Sequence, residues 1–291
     1  MTGLLLLTLR ELRAKKIVLG LFVVATLVWV LLASALQLDV VDGSLAGARL
    51  FGQEAEFGGV VDPETGEVVG EPEVPFGAET VLEGLVFAAE AFVAGAAYWV
   101  GILLALFATG GLIASLLERG QVDLLLSKPL SRAQVLGGRL LGVGAMMLAL
   151  LVYLLGAVWL VMTLKTGVWN PRFLLAIGVV FAMFAVVYGV VALVSVWTES
   201  AALGFIATLA LLFTSLVLAI PNLALQVKAP WRQLIQGLHA VVPQFPGVGV
   251  RIVPQLATGQ PVATWVPLLT SLAFGLALYA AAFALFRRKD F

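Results

Sequence analysis

Residues 173–220 read FLLAIGVVFAMFAVVYGVVALVSVWTESAALGFIATLALLFTSLVLAI, two apolar runs parted only by Thr198, Glu199 and Ser200. Each run is close to the roughly 20 residues that a helix needs to cross a hydrocarbon layer about 30 Å thick. A connection this short joins antiparallel helices. The stretch therefore predicts a tight pair of membrane spans, 173–197 and 201–220.

The same kind of run recurs at 17–36, 95–117, 140–164 and 265–286. Across its 291 residues the chain is 62% hydrophobic and 12% charged, with a mean hydropathy of +1.08. As a soluble globule it would bury little of that apolar surface, so the fold class is an all-α polytopic membrane protein with six transmembrane helices. The whole chain, 1–291, reads as one transmembrane domain. Pro267 falls in the first turn of the last span, where its missing N–H is cheap. There is no cysteine and one histidine, His239. That excludes disulfides, thiolate nucleophiles and cysteine or multi-histidine metal sites.

Basic residues set the orientation. With both termini cytoplasmic, the inner segments carry eleven basic against five acidic side chains, a net of +6. The outer segments carry six basic residues against twelve acids between Asp39 and Glu90, a net of −6. The formal charge of zero thus hides a dipole with the sign of the positive-inside rule. Lys15 and Lys16 precede a span ending in Ala33-Ser34-Ala35, a small-x-small pattern of the kind signal peptidase cuts. The long polar lead and the basic C-terminus favour retention of that span.

Ahead of it, residues 1–16 place Leu5, Leu9 and Leu12 on one helical face and Arg10, Arg13 and Lys16 on others. This predicts an amphipathic interfacial helix; a solvated entry segment that merely sets topology is the plainer reading. The acidic outer segment, 37–94, contains Val60-Val61 and Val68-Val69 around Pro63-Glu64-Thr65-Gly66, which predicts a small extracytoplasmic hairpin. Thr80 to Ala94 reads as a helix entering the second span. Its carboxylates fit a solvated acidic loop better than a cation site. Segment 221–264 has six prolines and no apolar run long enough to span, so it predicts short outer helices, interfacial or re-entrant. His239 lies there, and a lone histidine in such a helix is read as a structural hydrogen-bonding residue.

No catalytic motif emerges. The spans hold almost no ionisable residues, with Glu90 just outside the second as the nearest acid, which argues against an ion-coupled carrier and an intramembrane protease. The remaining polar island is 118–139, ERGQVDLLLSKPLSRAQVLGGR. Its Val122 to Leu126 helix should stop before Pro129, which disfavours the α region in the preceding residue. Ser131 and Gln134 then have capping-box spacing and open the helix that runs into the third span. On residues alone this is either a polar turn or a docking device.

The stretch Glu118 to Arg132, followed by Gly137, Gly138 and Arg139, resembles the cytoplasmic coupling segment of ABC-2 type transporter permeases. It is most similar to the NosY-like branch, named for the permease of nitrous oxide reductase maturation. The likeness extends to the N-terminal interfacial helix, six spans, the short turn after the fourth and the basic end Phe286-Arg-Arg-Lys-Asp-Phe291. It implies the permease subunit of an exporter in a prokaryotic plasma (inner) membrane. Two copies of the chain would sit on two copies of a separate cytoplasmic ABC ATPase. No enzyme activity is implied for this chain: ATP and Mg belong to the partner, and no cofactor or nucleic acid is expected here. Glu118, Gly120, Asp123, Ser127, Lys128, Pro129, Ser131 and Arg132 would form the main docking element. Arg10, Glu11 and Arg13 would belong to the elbow, and Glu199 to a smaller second contact. The acidic outer segment is larger than a minimal member needs and leaves room for an extracytoplasmic accessory protein. Two other classes stay open: a membrane anchor or sensor recruiting a non-ATPase protein, and an ATP-independent carrier or channel.

Overall fold

Ser131 starts the longest helix of the molecule. Its hydroxyl accepts from the Gln134 N–H and the Gln134 side chain returns a bond to the Ser131 N–H, a complete capping box as the sequence predicts. The computed structural model describes residues 16–41, 44–50, 53–54, 60–61, 68–69, 78, 80–114, 131–220, 228 and 231–288. The elbow residues Arg10, Glu11 and Arg13 lie outside the described residues, as do Glu118, Gly120, Asp123, Ser127, Lys128, Pro129 and the side chain of Arg132.

Helix α1 spans Lys16–Ala35 and is followed by an antiparallel sheet of β1 (Leu36–Val41), β2 (Ser44–Leu50) and β3 (Gln53–Glu54). The predicted hairpin forms from β4 (Val60–Val61) and β5 (Val68–Val69), with Val60 opposite Val69 and Val61 opposite Val68. The three-stranded sheet was not foreseen; β1 follows directly on an apolar helix, and its Leu-Gln-Leu-Asp-Val-Val alternation is a strand signal. Helix α2 (Val81–Ala96) is capped by Thr80 and continues through a π-helical turn, Ala97–Gly101, into α3 (Ile102–Thr109) and α4 (Gly111–Ala114).

Helix α5 spans Arg132–Thr166 and ends at Gly167, whose φ of 74° is the left-handed cap that only glycine adopts freely. A short 3₁₀ turn, Pro171–Leu174, leads into α6 (Leu175–Thr198), and α7 (Ala201–Leu218) returns at once. The predicted hairpin is thus observed, with Ser200 capping α7. Helix α8 is Trp231–Val241; α9 (Phe245–Gly247), a π-helical turn (Val248–Ile252) and α10 (Val253–Ala257) form one bent element; α11 is Val266–Arg288.

Among the described residues, five helical stretches are long and apolar enough to cross a membrane: Val81–Ile113, Ala133–Thr166, Pro171–Thr198, Ala201–Leu218 and Val266–Arg288. The predicted first span is apolar but shorter over Val18–Ser34. In the central helix α6, 61% of the most apolar stretch is buried, against 22% in α7 and in α11. Helix α6 is therefore the axis, and the flanking helices turn apolar sides such as Phe213, Leu269 and Leu276 outward. Close approach of α11 to this axis requires Gly275, where a Cβ would lie 3.0 Å from Val186 Cγ2 and 3.1 Å from its Cα.

Connectivity gives the bundle two ends. Ser131, Glu199 and Arg288 share one, the Ser131 end; Thr80, Asn170, Leu218 and Val266 share the other, the Asn170 end. Gly275→Leu should lower stability by about 1–3 kcal/mol through overpacking. Gly178→Ala, which meets nothing within 4 Å, should leave stability unchanged or raise it. Thermal unfolding in detergent measures both.

Candidate functional site

Two of the residues that the resemblance implies for docking have described side chains, both at the Ser131 end. Of these, Ser131 caps α5 and Glu199 ends α6. Glu199 is exposed and left-handed, at φ 57° and ψ 19°, the single positive-φ residue other than glycine among those described. A side chain there costs roughly 1–2 kcal/mol. Such strain persists where the surroundings or a function demand it.

Directly beneath this end the helices are tied by polar and aromatic contacts. Arg139 is buried on α5, within electrostatic reach of Tyr188 on α6. The Tyr188 hydroxyl donates to the Thr109 carbonyl at 3.2 Å, and Tyr279 on α11 donates to the Ala185 carbonyl at 2.7 Å. A Cβ added at Gly137 would lie 3.7 Å from the Phe283 ring. The tail of the island, read from sequence as the last cytoplasmic residues, is thus built into the bundle: Arg139 is core, since α5 already packs from its first turns. An apolar groove of about 640 Å³ opens beside it between α5, α6 and α11, floored by Phe181, Phe184 and Tyr188.

The Asn170 end is held by a different set of residues. Asn170 Nδ2 donates to Glu90 Oε2 at 2.7 Å and to the Ala257 carbonyl at 2.8 Å, and both side chains are buried. Arg172 Nη1 donates to the Gly259 carbonyl at 2.6 Å. Tyr98 stacks on Phe245 and donates to its carbonyl at 2.6 Å. Ser215 of α7 donates to the Pro243 carbonyl and accepts from the Phe245 N–H. The bent α9–α10 element is so tightly seated that a Cβ on Gly249 would come within 2.5 Å of the Tyr98 ring.

The helix that the sequence predicts from Thr80 into the second span is observed, and Glu90 lies on this continuous stretch, Val81–Ile113, capped by Thr80. Asn170 was not singled out from the sequence; a lone amide between two spans carries no spacing signal. Among the described residues no group of three or more acids and histidines could hold a metal.

Among the described residues, five membrane-length helices, a capped entry into α5 and the two-residue α6–α7 turn, Glu199 and Ser200, make the frame of a polytopic membrane protein. The model described as ABC-2 family transporter protein matches residues 9–291. The chain belongs to this family. It is accordingly a membrane permease of an ABC transporter, a transmembrane component whose family implies a partner ATPase. No curated protein matches the chain.

Removing the amide in Asn170→Leu leaves the buried Glu90 carboxyl and the Ala257 carbonyl without their donor, each worth about 1–3 kcal/mol when left unsatisfied. The midpoint of thermal unfolding should fall clearly, whereas Glu90→Gln, which keeps an acceptor, should fall less. Glu199→Gly should raise stability by about 1 kcal/mol by relieving the left-handed strain.

Proposed function

We propose that the ABC-2 permease exports its substrate as a homodimer, driven by two cytoplasmic ATPase subunits that dock at the Ser131 end. Six spans, including Lys16–Ala35, then carry both termini on the cytoplasmic side of a prokaryotic plasma membrane. The observation that carries this reading is the capping box at Ser131. It fixes the exit of segment 118–130 to the first turn of α5, a single helix of 35 residues and about 52 Å. Any displacement of the docking segment is then delivered to the full depth of the bundle.

The charge asymmetry supports the orientation, since eleven of the seventeen basic residues fall in the proposed cytoplasmic segments. In this reading Glu118, Gly120, Asp123, Ser127, Lys128, Pro129, Ser131 and Arg132 form the main contact. Glu199, on the exposed α6–α7 turn at the same end, is the second. The elbow residues Arg10, Glu11 and Arg13 anchor the chain at the interface. Strain at Glu199 supports a role there, because glycine would fit that turn at lower cost. The ATP and Mg sites belong to the partner. The acidic segment 37–79 is the surface that would meet an extracytoplasmic protein, and likeness to the NosY-like branch remains a proposal of the same kind.

Co-purification with the ATPase encoded beside this chain tests the reading. Asp123→Arg and Arg132→Glu should each abolish or strongly reduce retention of the ATPase and substrate-stimulated ATP hydrolysis, and Glu199→Lys should reduce both to a smaller extent. Full retention by both charge reversals would refute the docking assignment. Transport by the purified chain alone in liposomes would refute ATP coupling.

A further inference from the structure

Helix α8 has a sharply two-sided surface. Trp231, Leu234, Leu238 and Val241 lie on one face, at i, i+3, i+7 and i+10, and are 63%, 52%, 39% and 63% exposed. Arg232 and His239, seven residues apart, fall together on the flank of that face, with Gln233 behind them. An exposed apolar face on a helix too short to span is the pattern of a helix lying in the plane of a membrane surface. Its position agrees. Exposed Trp169 and Trp265 stand at the same end of the bundle as Trp231, where tryptophan marks the level of the lipid headgroups.

The polar flank of α8 faces a built recess. A cavity of about 160 Å³ lies between α8 and the α9–α10 element, with His239, Gln244 and Arg251 among its lining residues and no carboxylate. Arg251 is exposed and has no hydrogen-bond or ion-pair partner among the described residues. Segment 221–264 carries Lys228, Arg232 and Arg251 with no acidic residue. This net of +3 sits at the end that the charge count places outside, where the positive-inside rule gives basic residues no topological role. A concentration of cations beside an apolar helix face at headgroup level is complementary to anionic lipid.

We propose that α8 lies flat in the bilayer interface and that Arg251 and His239 bind the phosphate of an anionic phospholipid. The acyl chains cover Trp231, Leu234, Leu238 and Val241, while the headgroup enters the recess beside Gln244. Binding needs only the membrane-embedded chain, so it is independent of which ATPase drives the permease or what is moved.

The test reconstitutes the full chain in nanodiscs of mixed phosphatidylglycerol and phosphatidylcholine and measures co-retained lipid after detergent extraction. The wild type should retain phosphatidylglycerol preferentially, and Arg251→Gln should lower that preference about fivefold, as about 1 kcal/mol per basic residue near a membrane surface implies. Arg251 and His239 are exposed, so unchanged thermal unfolding of Arg251→Gln and His239→Gln shows that the bundle is intact. Quenching of Trp231 by lipids brominated near the headgroup, taken as the difference from Trp231→Phe, should report a shallow position. Equal preference in wild type and Arg251→Gln overturns the proposal. So does displacement of the lipid by millimolar inorganic phosphate, which would make the site one for the free anion. A wild type with no preference overturns it as well.

Discussion

Hydrocarbon supplies no hydrogen bonds, so backbone that leaves the helix within or near the membrane must find its partners inside the protein. In this chain that demand concentrates at the Asn170 end, where three irregular stretches meet. Each is satisfied by a side chain from another element: Asn170 and Arg172 reach the carbonyls of Ala257 and Gly259, Tyr98 that of Phe245, and Ser215 both sides of the Pro243–Phe245 turn. Ser271 of α11 completes the set by accepting from the Gln244 N–H. These bonds fasten the bent α9–α10 element to the π-helical turn after α2, to the 3₁₀ turn before α6, and to α7 and α11.

The other end is secured differently. Near Ser131 the tyrosine bonds to Thr109 and Ala185 are set within packing around Phe184, Tyr188 and Phe283. Packed apolar surfaces slide between alternative arrangements more readily than a set of buried hydrogen bonds can be exchanged. The proposed ATPase contact thus lies at the end built around this aromatic packing.

Much of this was legible from residue patterns. The capping box at Ser131, the valine pairing around Pro63 to Gly66, the α6–α7 turn and the helix from Thr80 all follow from short-range rules that depend on a few neighbouring residues. The sheet of β1 to β3 was missed because its strands adjoin a membrane helix, where an apolar reading swallows the alternation. The Glu90–Asn170–Ala257 tie was missed for a stronger reason. Its members lie 80 and 87 residues apart in sequence, and no periodicity links an acid in one span to an amide before another. Burial of Arg139 was hidden by its position at the end of a charged island, where only the packing of α5 distinguishes core from surface.

The spans also differ greatly in length. Helix α7 has 18 residues, about 27 Å, which barely equals the hydrocarbon thickness, while α5 is nearly twice as long and must tilt or project beyond it. A thicker bilayer would therefore strain α7 first and bring α5 upright, and a thinner one would do the reverse. Because both helices pack on α6, lipid composition acts on the angle between them. Membrane thickness is thus a mechanical load on the permease, felt through the mismatch of two neighbouring helices.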